Sequence, residues 1–485
     1  MKLILLMALR ENPARGGTFT VMFCTIRATL GGLGAETAFG PSDVILSAYR
    51  ADRLGPAEHT VYHIYSILLA VGFVLALPWF LWKGRATGKY LRTFRERMGR
   101  LPVYLNVDGD PSIWIHAVSV GEVLAARPLV PALREHFPRH RLFLSTTTMT
   151  GNAVAARAVR GLDGLFYAPF DWRRPVRRAL AVLNPALLVL METELWPNLI
   201  HEARRRGTRV ALVNGRISTR SFGRYLRVRR FLRRMLEEVD LFLMQGPAHA
   251  ERIRTLGAPA DRVRVTGNLK FDAVEPGRPP ERLVRLLDGR PGEPRPLLVA
   301  GSTVGGEEEL VLRAFHRVRE SVADAGLLIA PRHPERFAAV PPLVEAAGFR
   351  CRRRSTLEPG SWRLGEVLLL DTLGELARVY PLATVVFVGG SLVPAGGHNI
   401  LEAAVVGRPV VVGPHMENFQ EIADQFRAEA ALVQVGTPEE LGSEVASLML
   451  DGDRRRTLGE RARQLVERNR GAVPRTVESL GSLLA

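Results

Sequence analysis

A run of glycines with an acid one turn further on is the part of this chain best suited to hold a phosphate. Phe387-Val388-Gly389-Gly390-Ser391 is followed by Gly396-Gly397-His398-Asn399-Ile400-Leu401-Glu402. The apolar, β-branched residues 383–388 predict a buried parallel strand, and glycines at its carboxyl end let backbone N–H groups approach a ligand closely. A helix is expected to begin near Asn399. Its free N–H groups and positive dipole end suit an anion, and Glu402 is placed to take a pair of ribose hydroxyls. Most Gly-rich turns are only turns. Here the glycines, the pair His398-Asn399 and Glu402 coincide at one strand-to-helix junction, which favours a nucleotide site.

Acids stand at other strand exits. Ile115-His116-Ala117-Val118-Ser119-Val120-Gly121-Glu122 runs from a strand through a glycine turn into a helix expected over residues 123–133. A carboxylate at that helix start is stabilised by the dipole, and the same position is where an active-site base would project, so both readings of Glu122 stay open. Glu192 and Glu194 follow an apolar strand in Met191-Glu192-Thr193-Glu194-Leu195-Trp196-Pro197-Asn198. Acids beside Leu and Trp need cationic or hydrogen-bonding partners, so a structural ion pair competes with a functional role. Thr146-Thr147-Thr148-Met149-Thr150-Gly151-Asn152 reads mainly as a helix cap. Lys270, in Gly267-Asn268-Leu269-Lys270-Phe271-Asp272, either counters phosphate charge or is simply solvated.

In the second half, Ala300-Gly301-Ser302-Thr303 precedes Glu307, Glu308 and Glu309, which are expected to form a solvated first turn favoured by the helix dipole. Pro331-Arg332-His333-Pro334-Glu335-Arg336 and Asp371-Thr372-Leu373-Gly374-Glu375-Leu376 follow two more apolar runs. With the glycine run they make polar, Gly/Pro-shaped exits that would converge on one nucleotide pocket. No metal is expected: the histidines form no H-E-x-x-H pair, there is no C-x-x-C, and no strand is expected to exit into a D-x-D of the sort that holds a divalent ion on a nucleoside-diphosphate sugar. One phosphate can be met by a helix N-terminus and a basic side chain.

The elements that must position these residues alternate as strand and helix. Strands are expected over 113–117, 141–145, 186–191, 209–214 and 241–245, and again over 297–300, 326–330, 367–370, 384–388 and 409–412. Between the two series, the Pro/Gly-rich, charged residues 275–296 read as a linker. The expectation is an α/β chain with two doubly wound domains facing a cleft, one over 84–274 and one over 297–485, with ligands at the carboxyl edges of the strands.

The chain has 485 residues, 47% of them hydrophobic, enough for two sizeable cores. With 66 Lys and Arg against 49 Asp and Glu the formal charge is +17, which suits a polyanionic partner. Nucleic acid is the least supported, since there is no zinc-finger spacing, aromatic RNA-binding signature or basic tail. A membrane is supported directly. No charged residue falls between Ile64 and Trp82, and about 19 residues at roughly 1.5 Å each approach the thickness of a hydrocarbon core. Residues 61–83 are therefore expected to be a single transmembrane helix. Lys83, Arg85, Lys89, Arg92, Arg95, Arg97 and Arg100 follow it, which puts everything beyond on the cytoplasmic side. Cys24 and Cys351 make no disulfide framework. Residues 1–60 form a poor signal peptide and are expected to be a disordered extension or a mis-assigned start, with Val61 as the native first residue.

Taken together, the motifs HAVSVGE, STTTMTG, METELWPN, GNLKFD, AGST, PRHPER, DTLGEL, FVGGSL with GGHNILEAA, and GPHMENF closely resemble those of the 3-deoxy-D-manno-octulosonic acid (Kdo) transferases of lipid A biosynthesis, from about Val61 to the C-terminus. The resemblance implies a GT-B glycosyltransferase fold of two Rossmann-like domains behind a membrane anchor at the inner membrane. It implies inverting transfer of Kdo from CMP-Kdo to a phosphorylated lipid A precursor without a cofactor or metal. Glu122 is implied as the general base, with Glu192 and Lys270 as transition-state helpers. Contacts to CMP are implied for Pro331, Arg332, Leu373, Gly374, Glu375, Asn399, Ile400, Leu401 and Glu402, and the basic surface for anionic lipid. Val304 stands where many members carry a histidine. The competing enzyme reading is another GT-B glycosyltransferase or an epimerase using a UDP-linked sugar.

Overall fold

The structure, a computed structural model, describes residues 62–75, 93–279, 281, 283–284, 296–357, 362–363 and 365–484. The extension 1–60 and the second half of the expected span lie outside the described residues. So does most of the expected linker. The chain divides into two compact units, one of residues up to Thr266 together with Thr476–Ala485, the other Gly267–Arg475.

In the first unit seven strands form a wholly parallel sheet in the order β3-β2-β1-β4-β5-β6-β7. They are β1 (Ser112–His116), β2 (Arg141–Thr146), β3 (Gly164–Tyr167), β4 (Pro185–Met191), β5 (Arg209–Gly215), β6 (Leu241–Met244) and β7 (Val263–Val265). β1 and β4 are covered on both faces, which is why Ile113-Trp114-Ile115 in the one and residues 185–191 in the other are consecutive apolar residues rather than alternating ones. The order reverses between β1 and β4, and the crevice at such a switch point is where α/β sheets take ligands.

The second unit repeats the architecture with β8 (Leu297–Thr303), β9 (Gly326–Pro331), β10 (Arg350–Arg353), β11 (Glu366–Leu369), β12 (Val385–Val388), β13 (Val410–Val412) and β14 (Val433–Gln434), all parallel. Their order is β10-β11-β9-β8-β12-β13-β14, so the switch point lies between β8 and β12.

The expected α/β alternation is present, with differences that have physical causes. The strands that the sequence did not reveal, β3, β7, β10 and β14, are the edges of the two sheets. An edge strand is short and half-solvated, so β10 reads Arg-Cys-Arg-Arg instead of an apolar run. The helix expected over 123–133 is two helices, Val120–Ala126 and Leu129–His136, parted at Pro128, which has no N–H to continue the ladder. The helix expected at Asn399 is the single turn Leu401–Ala404. The boundary between units falls at Thr266/Gly267, ahead of the Pro/Gly-rich stretch, because Phe271 and Val274 already pack in the second core. The end of the chain returns to the first unit, where Gly481 lies against His136 and Phe137.

Of the expected span, residues 62–75 are helical, and among the described residues no helix is long and apolar enough to cross a membrane. This helix packs within the first unit through buried Leu69, through Phe73 against Phe170 and Trp172, and through two tyrosine hydroxyls. Tyr62 donates to Glu238 Oε1 (2.7 Å) and stacks on His201 at 4.0 Å, and Tyr65 donates to Asp171 Oδ2 (2.9 Å). Arg97, expected in the basic flank, is buried, with its guanidinium donating to the Thr147 carbonyl (2.6 Å) and stacking over Tyr167.

Candidate active site

The carboxylates singled out in the first unit follow β1 and β4, the two strands at its switch point, Glu122 in the first helical turn after β1 and Glu192 and Glu194 in the turn after β4. Ser119 caps the helix Val120–Ala126 through its hydroxyl, and Glu122 folds back onto the same turn. Its Oε2 accepts the Val118 N–H (2.6 Å) and its Oε1 accepts the Ser119 hydroxyl (2.7 Å). Glu122 is therefore part of a helix cap. Yet burial pushes its carboxyl well above the ordinary carboxylate value, and the charges of Glu194 and Glu192 push the same way, outweighing the two hydrogen bonds. A solvated cap residue would show the opposite balance.

Glu192 holds a left-handed backbone, with φ of +53°, at the end of β4. For a residue with a Cβ that conformation costs roughly 1 kcal/mol or more and gathers at functional sites. The turn is locked by the Glu192 N–H donating to the Val213 carbonyl (2.9 Å). Glu194, to which the resemblance assigned no role, accepts the indole N–H of buried Trp196 (2.8 Å). Trp196 stands edge-on to His116, whose pKa burial lowers to about 3, so the floor of the site is a neutral imidazole and an indole.

Lys270 belongs to the second unit. Its N–H donates to Asn268 Oδ1 (3.0 Å), and its ammonium lies 5.6 Å from the centre of the Phe419 ring. Glu122 and Glu192 are thus brought together in one unit, while Lys270 shares the other with the expected CMP contacts.

Those contacts gather at the carboxyl ends of β9, β11 and β12. Pro331 ends β9 and pairs with Thr303, and the Arg332 N–H donates to the Thr303 carbonyl (2.8 Å), leaving the Arg332 side chain exposed. Leu373 is 68% exposed beside Gly374, and Glu375 pairs with Arg354 Nη2 (3.2 Å) and accepts from Thr372. Asn399 Oδ1 accepts the Leu401 N–H (3.1 Å) and its amide donates to Glu402 Oε1 (3.3 Å). Ile400 and Leu401 are fully buried and belong to the core of the second unit. Buried Tyr380 feels the charges of Glu402 and Arg332 together, and His398, depressed mainly by burial, feels those of Arg332 and His333. The β9 loop and the glycine segment therefore lie near enough for their charges to act on the same groups. Tyr380 also explains Gly301: a Cβ there would stand 2.3 Å from the tyrosine oxygen.

One expectation is overturned. The N–H groups of Gly390 and Ser391 point not to an open anion site but to the carboxylate of Glu307, at 2.7 and 3.0 Å. Glu307 and Glu308, expected to be solvated, are both fully buried. Nothing within the local sequence signals this, because the partners come from β12, the neighbouring strand at the switch point.

Comparison with known proteins agrees with the motifs. Residues 92–273 match the family model described as 3-Deoxy-D-manno-octulosonic-acid transferase (kdotransferase). The 3-deoxy-D-manno-octulosonic acid transferase of Haemophilus influenzae is 35% identical over 400 residues, covering 81% of this chain and 91% of that protein. That of Bordetella pertussis is 35% identical over 426 residues, covering 85% and 97%. Among solved structures, a UDP-GlcNAc 2-epimerase from Neisseria meningitidis bound to UDP-GlcNAc superposes with a TM-score of 0.53 over 76% of this chain and 100% of its own, at 12% identity, a likeness of fold alone. With two Rossmann-like units and relatives matched over nearly their whole length, this chain belongs to the family of 3-deoxy-D-manno-octulosonic acid (Kdo) transferases and is a glycosyltransferase.

Proposed function

We propose that the protein transfers Kdo from CMP-Kdo to a phosphorylated lipid A precursor with inversion at the anomeric carbon, using Glu122 as general base. The observation that carries this is the Glu122 carboxyl, buried at a sheet switch point with its proton affinity raised by burial and by Glu194 and Glu192. Such a group accepts the proton of an attacking sugar hydroxyl while the bond from the anomeric carbon to the CMP phosphate breaks. Glu192 faces the charge that builds at the sugar, and Lys270 balances the departing phosphate. Pro331, Arg332, Leu373, Gly374, Glu375, Asn399, Ile400, Leu401 and Glu402 hold CMP, the last by its carboxylate on the ribose. No cofactor or metal takes part in this scheme.

The acceptor is a lipid, and the helix of residues 62–75 supports a membrane location at the cytoplasmic face of the inner membrane. The side with Tyr62, Tyr65, Leu69 and Phe73 is docked, and its outward side is bare: Ile64, Ile67, Leu68, Val71, Val74 and Leu75 are all more than half exposed. Arginines border it. Arg173, on the helix Arg173–Leu183, contacts His63, and Phe231, on the helix Arg229–Glu237, packs on Tyr65. Those two helices expose Arg174, Arg177, Arg178, Arg229, Arg230, Arg233 and Arg234. An apolar strip between arginines suits an anionic lipid surface.

The test is Kdo transfer from CMP-Kdo to a tetra-acylated lipid A precursor by the detergent-solubilised full chain, wild type beside Glu122→Ala. Product from the wild type and near-complete loss in the variant supports donor, acceptor and base. An active variant returns Glu122 to a capping role. An inactive wild type that turns over a UDP-linked sugar refutes the donor.

A further inference from the structure

The helix Glu308–Ser321 follows β8, the strand whose neighbours are β9 on one side and β12 on the other. The consecutive acids at its start reach in these two directions. Glu307 turns to β12: its Oε1 accepts the N–H groups of Ser391 (3.0 Å) and Leu392 (2.9 Å), and its Oε2 accepts those of Gly390 (2.7 Å) and Val304 (3.3 Å). Four donors on two oxygens use the full accepting capacity of a carboxylate, which an amide does not have. Gly389 makes the approach possible, since a Cβ there would lie 2.6 Å from Glu307 Oε2. Glu308 turns to the β9 loop: its Oε2 pairs with Arg336 Nη2 (3.0 Å), and Thr303 donates to its Oε1 (3.4 Å).

We propose that Glu307 and Glu308 are a pair of positioning residues that hold the two principal loops of the nucleotide site in register, Glu307 the glycine turn after β12 and Glu308, through Arg336, the loop carrying Pro331 and Arg332. The inference rests on reading the second unit as the donor domain. The glycine turn leads on to the donor residues, because the Gly389 carbonyl meets His398 Nδ1 (2.8 Å) and the Gly397 N–H donates to the Gly390 carbonyl (2.8 Å), immediately before Asn399. Glu307 takes the place that a phosphate would fill in that turn. The donor phosphate is then left to side chains such as the exposed Arg332, and the turn is shaped before any donor arrives.

The test uses the full chain in detergent with Glu307→Gln, Glu308→Gln and, as a structural control, Glu366→Gln. Glu366 is a buried acid at the opposite end of β11, paired with Arg352. Calorimetric titration with CMP is expected to show at least a tenfold weaker affinity for Glu307→Gln and a several-fold loss for Glu308→Gln, with the control binding as the wild type does. Amide hydrogen exchange without ligand is expected to quicken at Gly390, Ser391 and Leu392 in the first variant, and at Arg332 and its neighbours in the second. Unchanged exchange at those amides, or an equal loss of CMP affinity in Glu366→Gln, overturns the inference. Wild type that fails to bind CMP, with the exchange changes present, upholds the positioning and refutes the donor reading. Should Glu307→Gln not fold, Arg336→Lys carries the test on the other arm, because that side chain is 29% exposed.

Discussion

As the proposed general base, Glu122 must give up a proton that its surroundings hold on it, and that sets its expected pH behaviour. Its raised pKa means that the deprotonated, competent form is populated only above the ordinary carboxylate range. The rising limb of kcat/KM against pH should therefore lie above about 4.3, the reference glutamate value. Glu194→Gln removes the larger of the two acidic neighbours, so the limb should move to lower pH, and a pH–rate profile of the two proteins checks this. Glu122→Gln should cost about a hundredfold to ten-thousandfold in rate, the usual contribution of a positioned base. Asp171 gives a stability counterpart. Burial raises its pKa to about 7, against hydrogen bonds from Tyr65 and the Leu199 and Asn198 N–H groups. A group raised on folding lends stability that is whole below its unfolded pKa and is lost as pH rises through the folded one. The melting temperature of the wild type relative to Asp171→Asn should accordingly rise as pH falls from 8 to 5, as thermal unfolding across that range would show.

At the scale of elements, the helix of residues 62–75 is apolar on both sides: Tyr62, Tyr65, Leu69 and Phe73 face the protein, the two tyrosine hydroxyls bonded to acids, while a second row of aliphatic side chains faces out. Replacing Ile67, Leu68 and Val71 together by Asp changes residues that are 61%, 65% and 51% exposed, so unit stability should barely move. Sedimentation with phosphatidylglycerol vesicles should fall at least tenfold; retention of binding would remove this helix from the membrane reading. The same helix shows what element-level pattern can and cannot convey. An uncharged run marks a segment that shuns water, but Tyr62 and Tyr65 acquire their meaning from Glu238 and Asp171, far along the chain. The central strands were legible for the converse reason. A parallel strand covered on both faces must be apolar throughout, whereas the edges β3, β7, β10 and β14 are under no such demand.

For the whole molecule, the chain passes between its two units twice, and the two passages are tied together. Asp272, just past the first, accepts the N–H groups of Gly471 (2.7 Å) and Val473 (2.6 Å) at the start of the final helix, Ala472–Leu484, which returns to the first unit. Asp272→Ala should cost about 1 kcal/mol, a typical N-cap value, and loosen that helix start, visible as faster amide exchange at Gly471 and Val473.

The amino-acid sequence by itself determined the alternation of strands and helices, the family, and the junctions where Glu122, Glu192 and the glycine segment would stand. These are local matters of apolar runs, glycines and strand exits. Tertiary structure alone decided that the glycine turn closes on Glu307, that Lys270 lies in the second unit, and that Glu194 helps raise the proton affinity of Glu122. Desolvation, charge coupling and hydrogen-bond partnership depend on which strands become neighbours, and strand order joins residues whose sequence separation carries no sign of it.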